Sequence, residues 1–307
     1  MGALFSFLLC YRLPTRKTTR LEWASVLFTN LLILGVALLA VVGPPIWSAL
    51  APAGQADLHS STIGDFTAIR AWPSAVHWLG TDEQGRDTLA RLLVGLRVSL
   101  LVATFVETLN IGLGAGLGLL AGTYGGLLDT IVARIADMLF AFPGLLLAIL
   151  VSAVFGQAAQ DLAGDMGQLL LVSGALALVS WPLMARYVRG QALSIREREY
   201  VEAARSIGAT RPQILRLHIL PNVVGLIVTA ATLDVPGVIL SEAVLSLLGL
   251  GIQVPGSSLG LMIVRAIPYL EQNWFQVFVP GAVLTLLVLA FSFLGDGIRD
   301  VLDPQTR

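Results

Sequence analysis

Six apolar runs, each about as long as a bilayer is thick, constrain this chain more than any other feature. They are residues 24–45, 98–121, 132–155, 168–188, 223–248 and 275–295. About 20 apolar residues cross the hydrocarbon core as a helix. A backbone in lipid must satisfy its own amides, so these runs predict helices rather than open strands. The expected fold class is an all-α polytopic membrane protein with six transmembrane helices. Composition agrees, with 56% hydrophobic and 13% charged residues, against about 25% charged in soluble domains. The net charge of -1 and the scattered basic residues give no reason to expect a nucleic-acid partner; the expected surroundings are membrane lipid. The single cysteine, Cys10, excludes an internal disulfide or a cysteine cluster. Residues 1–11 lack a basic leading region and read as a cytoplasmic stub, with the first span as an uncleaved anchor.

Basic residues near span ends set the orientation. Arg12, Arg16, Lys17 and Arg20 precede the first span. Arg186, Arg189, Arg196, Arg198, Arg205, Arg211 and Arg216 follow the fourth, and Arg299 and Arg307 follow the sixth. All three groups then lie in the cytoplasm, with both termini. The resulting division is a stub at 1–23, a first span at 24–45, an external loop at 46–96, a core at 97–298 and a tail at 299–307. Leu89, Leu92, Leu93 and Leu96 form one stripe beside Arg86, Arg91 and Arg97, which predicts an amphipathic surface helix over 82–97. Gly112, Gly114, Gly116, Gly118 and Gly122 in the second span have spacings that allow close helix contact inside the subunit. Pro143, Pro182, Pro236 and Pro280 predict kinks.

The loop 189–222 is too elaborate for a simple turn. Tyr200, Ala203, Ala204 and Ile207 fall at i, i+3, i+4 and i+7, one face of a helix. Arg198, Glu202 and Arg205 occupy another face, where Glu202 can pair with either arginine. Gly208 is placed to end that helix. Thr210 is placed to cap a second one, with Pro212 in its first turn, and Pro221 marks the entry to the fifth span. An arginine-rich helix lying on headgroups and a docking helix for another protein both fit this pattern.

Glu202-Ala203-Ala204, then Gly208, then Leu220-Pro221, resembles the Glu-Ala-Ala loop of the permease subunits of ATP-binding-cassette importers. His218 before Ile219-Leu220-Pro221 resembles the dipeptide, oligopeptide and nickel branch. Three further segments are similar to that branch: 77–87 with 91–100, 247–253 and 295–304. The resemblance covers roughly 75–305 and points to the C-type subunit, a bacterial inner-membrane protein with the type I importer permease fold and a cytoplasmic coupling helix. It implies a sister permease, two ATPase subunits carrying ATP and magnesium, and an extracytoplasmic solute-binding protein. It implies an ATPase-coupling segment of Tyr200, Val201, Glu202, Ala203, Ala204, Arg205, Ser206, Ile207, Gly208 and Ala209, closed by Leu220 and Pro221. Dipeptides, longer peptides, nickel, opines and glutathione-like molecules all suit the branch as solutes.

Charges inside spans are costly and mark a bundle interior, a partner or a pathway. Glu107, Asp234 and Glu242 have no local partner and are candidate pathway residues, with a partner-helix hydrogen bond as the plain alternative. Arg134 and Asp137, three apart, are placed to pair with each other, with a pairing of Asp137 across helices as the alternative. The loop 251–274 is a candidate external gate. His59, His77 and His218 lack metal-ligand spacing, and with Lys17 as the only lysine the chain holds no phosphate-binding Gly-rich loop. The chain itself is therefore expected to be no enzyme and to bind no cofactor. An ion-driven secondary transporter or channel is the competing class, and it would show internal repeats. An intramembrane enzyme would need a catalytic constellation that the sequence does not display.

Overall fold

The computed structural model describes residues 20–50, 59–253 and 256–302. The stub 1–19 with Cys10, the stretch 51–58, Pro255 and the tail beyond 302 lie outside the described residues. Among the described residues eight helices build the fold: α1 (Arg20–Ala49), α2 (Thr88–Tyr124), α3 (Gly126–Phe140), α4 (Gly144–Arg196), α5 (Glu199–Ser206), α6 (Arg211–Leu247), α7 (Leu259–Ala266) and α8 (Phe275–Leu302). Among the described residues β-structure is limited to one bridge between Thr81 and Asp87. Four helices, Thr88–Tyr124, Gly144–Arg196, Arg211–Leu247 and Phe275–Arg299, are long and apolar enough to cross a membrane.

The run 132–155 is not one helix. It breaks at Ala141–Pro143, between α3 and α4. Pro143 has no N–H to donate, and a residue before proline is pushed away from helical geometry. α4 bends again at Ala163 and Gly164, where Gly164 has φ 54, so its second half alone carries the fourth apolar run. Helix continues through Pro182, Pro236 and Pro280. Two π-helical turns interrupt otherwise regular helix, at Asn110–Ala115 in α2 and Leu215–Ile219 in α6. The second lies just before Pro221, whose missing donor leaves a carbonyl one turn back free to re-pair.

The amphipathic surface helix expected over 82–97 does not exist as such. Residues 82–87 form a turn shaped by Gly80 and Gly85, both with positive φ. Helix starts at Thr88, capped by Asp87, whose carboxylate accepts from the Ala90 amide at 2.7 Å. Arg86 and Arg91 do not lie on headgroups. Each is 1% exposed, and both donate to Asp82 Oδ2, at 2.7 and 2.8 Å. Asp87 also accepts from Trp47 Nε1 of α1 and contacts His77 Nδ1. Gln276 of α8 donates to the Thr81 carbonyl. A polar node thus ties α1, α2 and α8 at one end of the bundle.

The main core lies among α2, α4, α6 and α8, around Val102, Val106, Val172, Ile239 and Leu287. On α2, Gly114, Gly118 and Gly122 meet α4 directly. A Cβ at Gly118 would stand 2.5 Å from the Ala185 carbonyl, and one at Gly114 2.7 Å from that of Trp181. Gly112 and Gly116 have nothing within 4 Å. The glycine-rich span is therefore an internal seam on one face only. The loop 251–274 folds into α7, capped by Ser258 and packed against α2, α6 and α8.

Candidate functional site

The loop 189–222 forms the two expected helices, and its closure follows from local chemistry. α5 opens after Arg198, which is extended. Glu199 and Glu202 occupy its first turn, where negative charge suits the helix dipole. At the other end the Gly208 N–H donates to Arg205 O and the Ala209 N–H to Ala204 O, at 3.1 and 3.0 Å. This double closure needs a left-handed residue, and Gly208 supplies φ 93. Thr210 then starts α6, its amide donating to Gln213 Oε1 at 2.8 Å, with Pro212 in the first turn.

α5 seats on the body of the protein mainly through Val201, with the Tyr200 ring 6.0 Å from that of His218 in α6. Val201 is fully buried among Ile195 at the end of α4 and Ile214, Ile219 and Val223 of α6. Tyr200 is 42% exposed and Ile207 89%; Glu202, Ala203, Arg205, Ser206 and Gly208 are exposed, while Ala204 and Ala209 are half-buried. On the small-residue face of the helix, Ala203 and Ile207 point outward. Leu220 and Pro221 are exposed at the start of the regular part of α6. Among the described residues, Glu202 makes no ion pair with Arg198 or Arg205, contrary to expectation; long exposed side chains gain little from such pairs. Glu202 and Arg205 instead border a cleft of about 520 Å³, with Arg196, Arg211 and Tyr124. Arg196 and Arg211 donate to the Gly122 and Tyr124 carbonyls, tying the loop's two flanks to the last turn of α2.

The three carboxylates within the spans separate into two environments. Glu242 of α6 is 1% exposed and both its oxygens are hydrogen-bonded, to Ser246 at 2.7 Å and to Ser99 of α2 at 3.1 Å; Ser258 bonds Ser246 in turn. It holds α6 against α2 and the start of α7. Glu107 of α2 and Asp234 of α6 come together instead. Asn110 Nδ2 reaches Glu107 Oε1 at 3.4 Å and Asp234 Oδ2 at 3.2 Å, while Ser180 of α4 donates to Asn110 Oδ1 at 2.8 Å. Asn110 opens the π-helical turn of α2. Ser180, Ser99 and Ser258 had no sequence signal, because one serine in an apolar run says nothing about which helix it meets. Asp137 pairs with Arg186 of α4 at 2.9 Å rather than with Arg134. Asp129 pairs with Arg189, and that hydrogen bond holds the Asp129 carboxyl below the usual carboxylate range. Among the described residues no three His, Cys, Asp or Glu side chains gather as a metal site.

The chain is similar to known proteins. The family described as binding-protein-dependent transport system inner membrane component matches residues 114–307. The chain is 37% identical over 301 residues to the dipeptide transport system permease protein DppC of Bacillus subtilis (strain 168), covering 96% of this chain and 88% of that protein. It is 41% identical to the glutathione transport system permease protein GsiD of Pectobacterium atrosepticum, over 79% of this chain and 77% of that one. A chain of the MetNI methionine ABC transporter, in a crystal structure of inward-facing conformations, superposes with a TM-score of 0.55 at 24% identity, over 69% of this chain and 96% of that chain; this is a likeness of fold. The multi-pass helical bundle, the family match and these relatives place the chain in the family of binding-protein-dependent transport inner-membrane components, as a permease of the peptide branch of ABC importers.

Proposed function

We propose that this chain is one of two permease subunits lining the pathway of an ATP-driven importer of dipeptides or closely related short peptides. Both termini lie in the cytoplasm, an external binding protein delivers the solute, and two separate ATPase subunits hold ATP and magnesium. α5 is the coupling helix. One observation carries this reading: α5 is a short helix closed at its end by Gly208, with Ala203 and Ile207 exposed, and seated on the bundle through the buried Val201. A helix that served only as a turn would bury those side chains or lack them.

The pinning also gives the direction of coupling. A push on α5 bears on Ile195, Ile214 and Ile219, hence on α4 and α6. Those helices carry Ser180 and Asp234, which face Glu107 of α2 through Asn110. Glu107 and Asp234 are then the pathway-side carboxylates, whereas Glu242, with both oxygens bonded, anchors helices. Solute relatives support the class: the named relatives are transport permeases for dipeptides and glutathione. The experiment is ATP-driven peptide uptake with Glu202→Lys and Gly208→Asp. Uptake is expected to fall at least about tenfold while the chain stays inserted. Normal uptake together with normal ATPase association in both variants would remove α5 from the coupling role.

A further inference from the structure

We propose that Glu107 and Asp234 form a receptor for the free α-ammonium group of a peptide in transit. The inference deepens the importer reading above and rests on it for the class of solute.

The two carboxylates come from different helices and flank one side chain, Asn110. Among the described residues the Asn110 amide is the one neutral donor between them, shared at 3.4 and 3.2 Å. Ser180, by donating to Asn110 Oδ1, fixes which end of that amide faces the acids. Glu107 is 7% exposed, and its Oε2 is sealed from water without a hydrogen-bond partner. Asp234 is half-buried and forms the open side. Arg186 and Arg189, further along α4 from Ser180, are paired with Asp137 and Asp129.

A buried carboxylate oxygen with no donor is costly, and two acids beside one amide are under-compensated inside a membrane. The missing group is therefore a cationic donor that enters past Asp234 and reaches Glu107 Oε2. Divalent metal ions take six or more oxygen ligands, or at least three or four firm side-chain ligands, and no third acid, histidine or cysteine joins this pair among the described residues. An ammonium group has three N–H donors on one centre. Two carboxylates supply most of its acceptors, and one water or peptide carbonyl completes the set. Dipeptides and glutathione, the solutes in the relatives' names, each carry such a group. A pathway site must also release its occupant, so weak binding is expected.

The test uses the full chain in its native assembly, reconstituted in lipid nanodiscs without the binding protein. L-Alanyl-L-alanine and N-acetyl-L-alanyl-L-alanine are titrated and followed by saturation-transfer NMR. The free dipeptide is expected to bind with a Kd near 1 mM, about −4.1 kcal/mol. The acetylated form is expected to bind at least about tenfold more weakly, and Asp234→Asn and Glu107→Gln to weaken the free dipeptide equally. Equal binding of both peptides, or no binding at about 10 mM, overturns the receptor. So does undiminished binding in both variants. If neither variant assembles, the acetylation comparison on the unaltered protein decides. ATP-driven uptake with the binding protein restored is read separately. Acetylation-sensitive binding without uptake removes the importer reading and leaves the receptor, and uptake with equal binding of both peptides does the reverse.

Discussion

Asp82 is the residue on which one end of the bundle depends. Two guanidinium groups, each 1% exposed, share its Oδ2. Removing one member of a buried pair leaves the other charge uncompensated, at a cost of about 3–5 kcal/mol. Asp82→Ala is therefore expected to lower the unfolding temperature in detergent markedly, and an unchanged transition would show that Arg86 and Arg91 find other partners. Gly208 is the opposite kind of residue. Nothing lies within 4 Å of its would-be Cβ, so Gly208→Ala costs only the left-handed backbone, about 1–2 kcal/mol. That cost is local: amide exchange over 199–209 is expected to quicken while global stability holds. Gly208 was legible from sequence, since helix closure is a matter of a few neighbouring residues. The role of Asp82 was not, because its partners on the turn are defined only once Gly80 and Gly85 reverse the chain. Asp129 gives a pH signature. Its carboxyl is lowered by Arg189, so its contribution is complete above the unfolded pKa of about 3.9 and is lost as pH falls through the lower folded value. The stability difference between wild type and Asp129→Asn should therefore be flat across neutral pH and vanish only in stronger acid.

Among the elements, α2 and α5 are the most exacting. α2 approaches α4 through Gly118, where a Cβ would stand 2.5 Å from a backbone carbonyl that cannot move aside. Gly118→Val is expected to destabilise the bundle by about 1–3 kcal/mol, read as earlier heat-induced aggregation in detergent. Gly116→Ala, on the open face, should be silent in the same assay. Glycine spacing announced a seam, but which glycines face the neighbour depends on the rotation of α2. For α5 the sequence marked the outward face, and the structure added the anchor. Val201→Ala removes two buried methyl-sized groups at the main anchor of α5, costing about 1–2 kcal/mol. Peptide uptake should fall while ATP hydrolysis by the assembly persists. Helix breaks divided along the same line. Pro143 ends a helix and Pro182, Pro236 and Pro280 do not, because neighbouring helices can tolerate a missing hydrogen bond in mid-bundle.

At the scale of the whole molecule, apolar side chains turn outward, such as Leu127, Ile131, Ile135 and Met138 on α3, and the proposed function assigns α5 to the ATPase subunits. Cutting out residues 199–209 is expected to strip the ATPase subunits from the purified assembly and leave the sister permease in place; loss of both would mean that α5 supports the bundle itself. The sequence alone determined the all-α membrane class, the two-helix loop and the family, because each rests on local periodicity, short capping patterns or ordered motifs read within one segment. Only the tertiary structure decided that Glu107 and Asp234 meet across α2 and α6, that Glu242 is sealed by serines, and that Asp137 turns to Arg186. Those pairings join residues 49 to 143 positions apart. A helix's periodicity fixes which residues share a face, but not which neighbour that face meets, nor at what height.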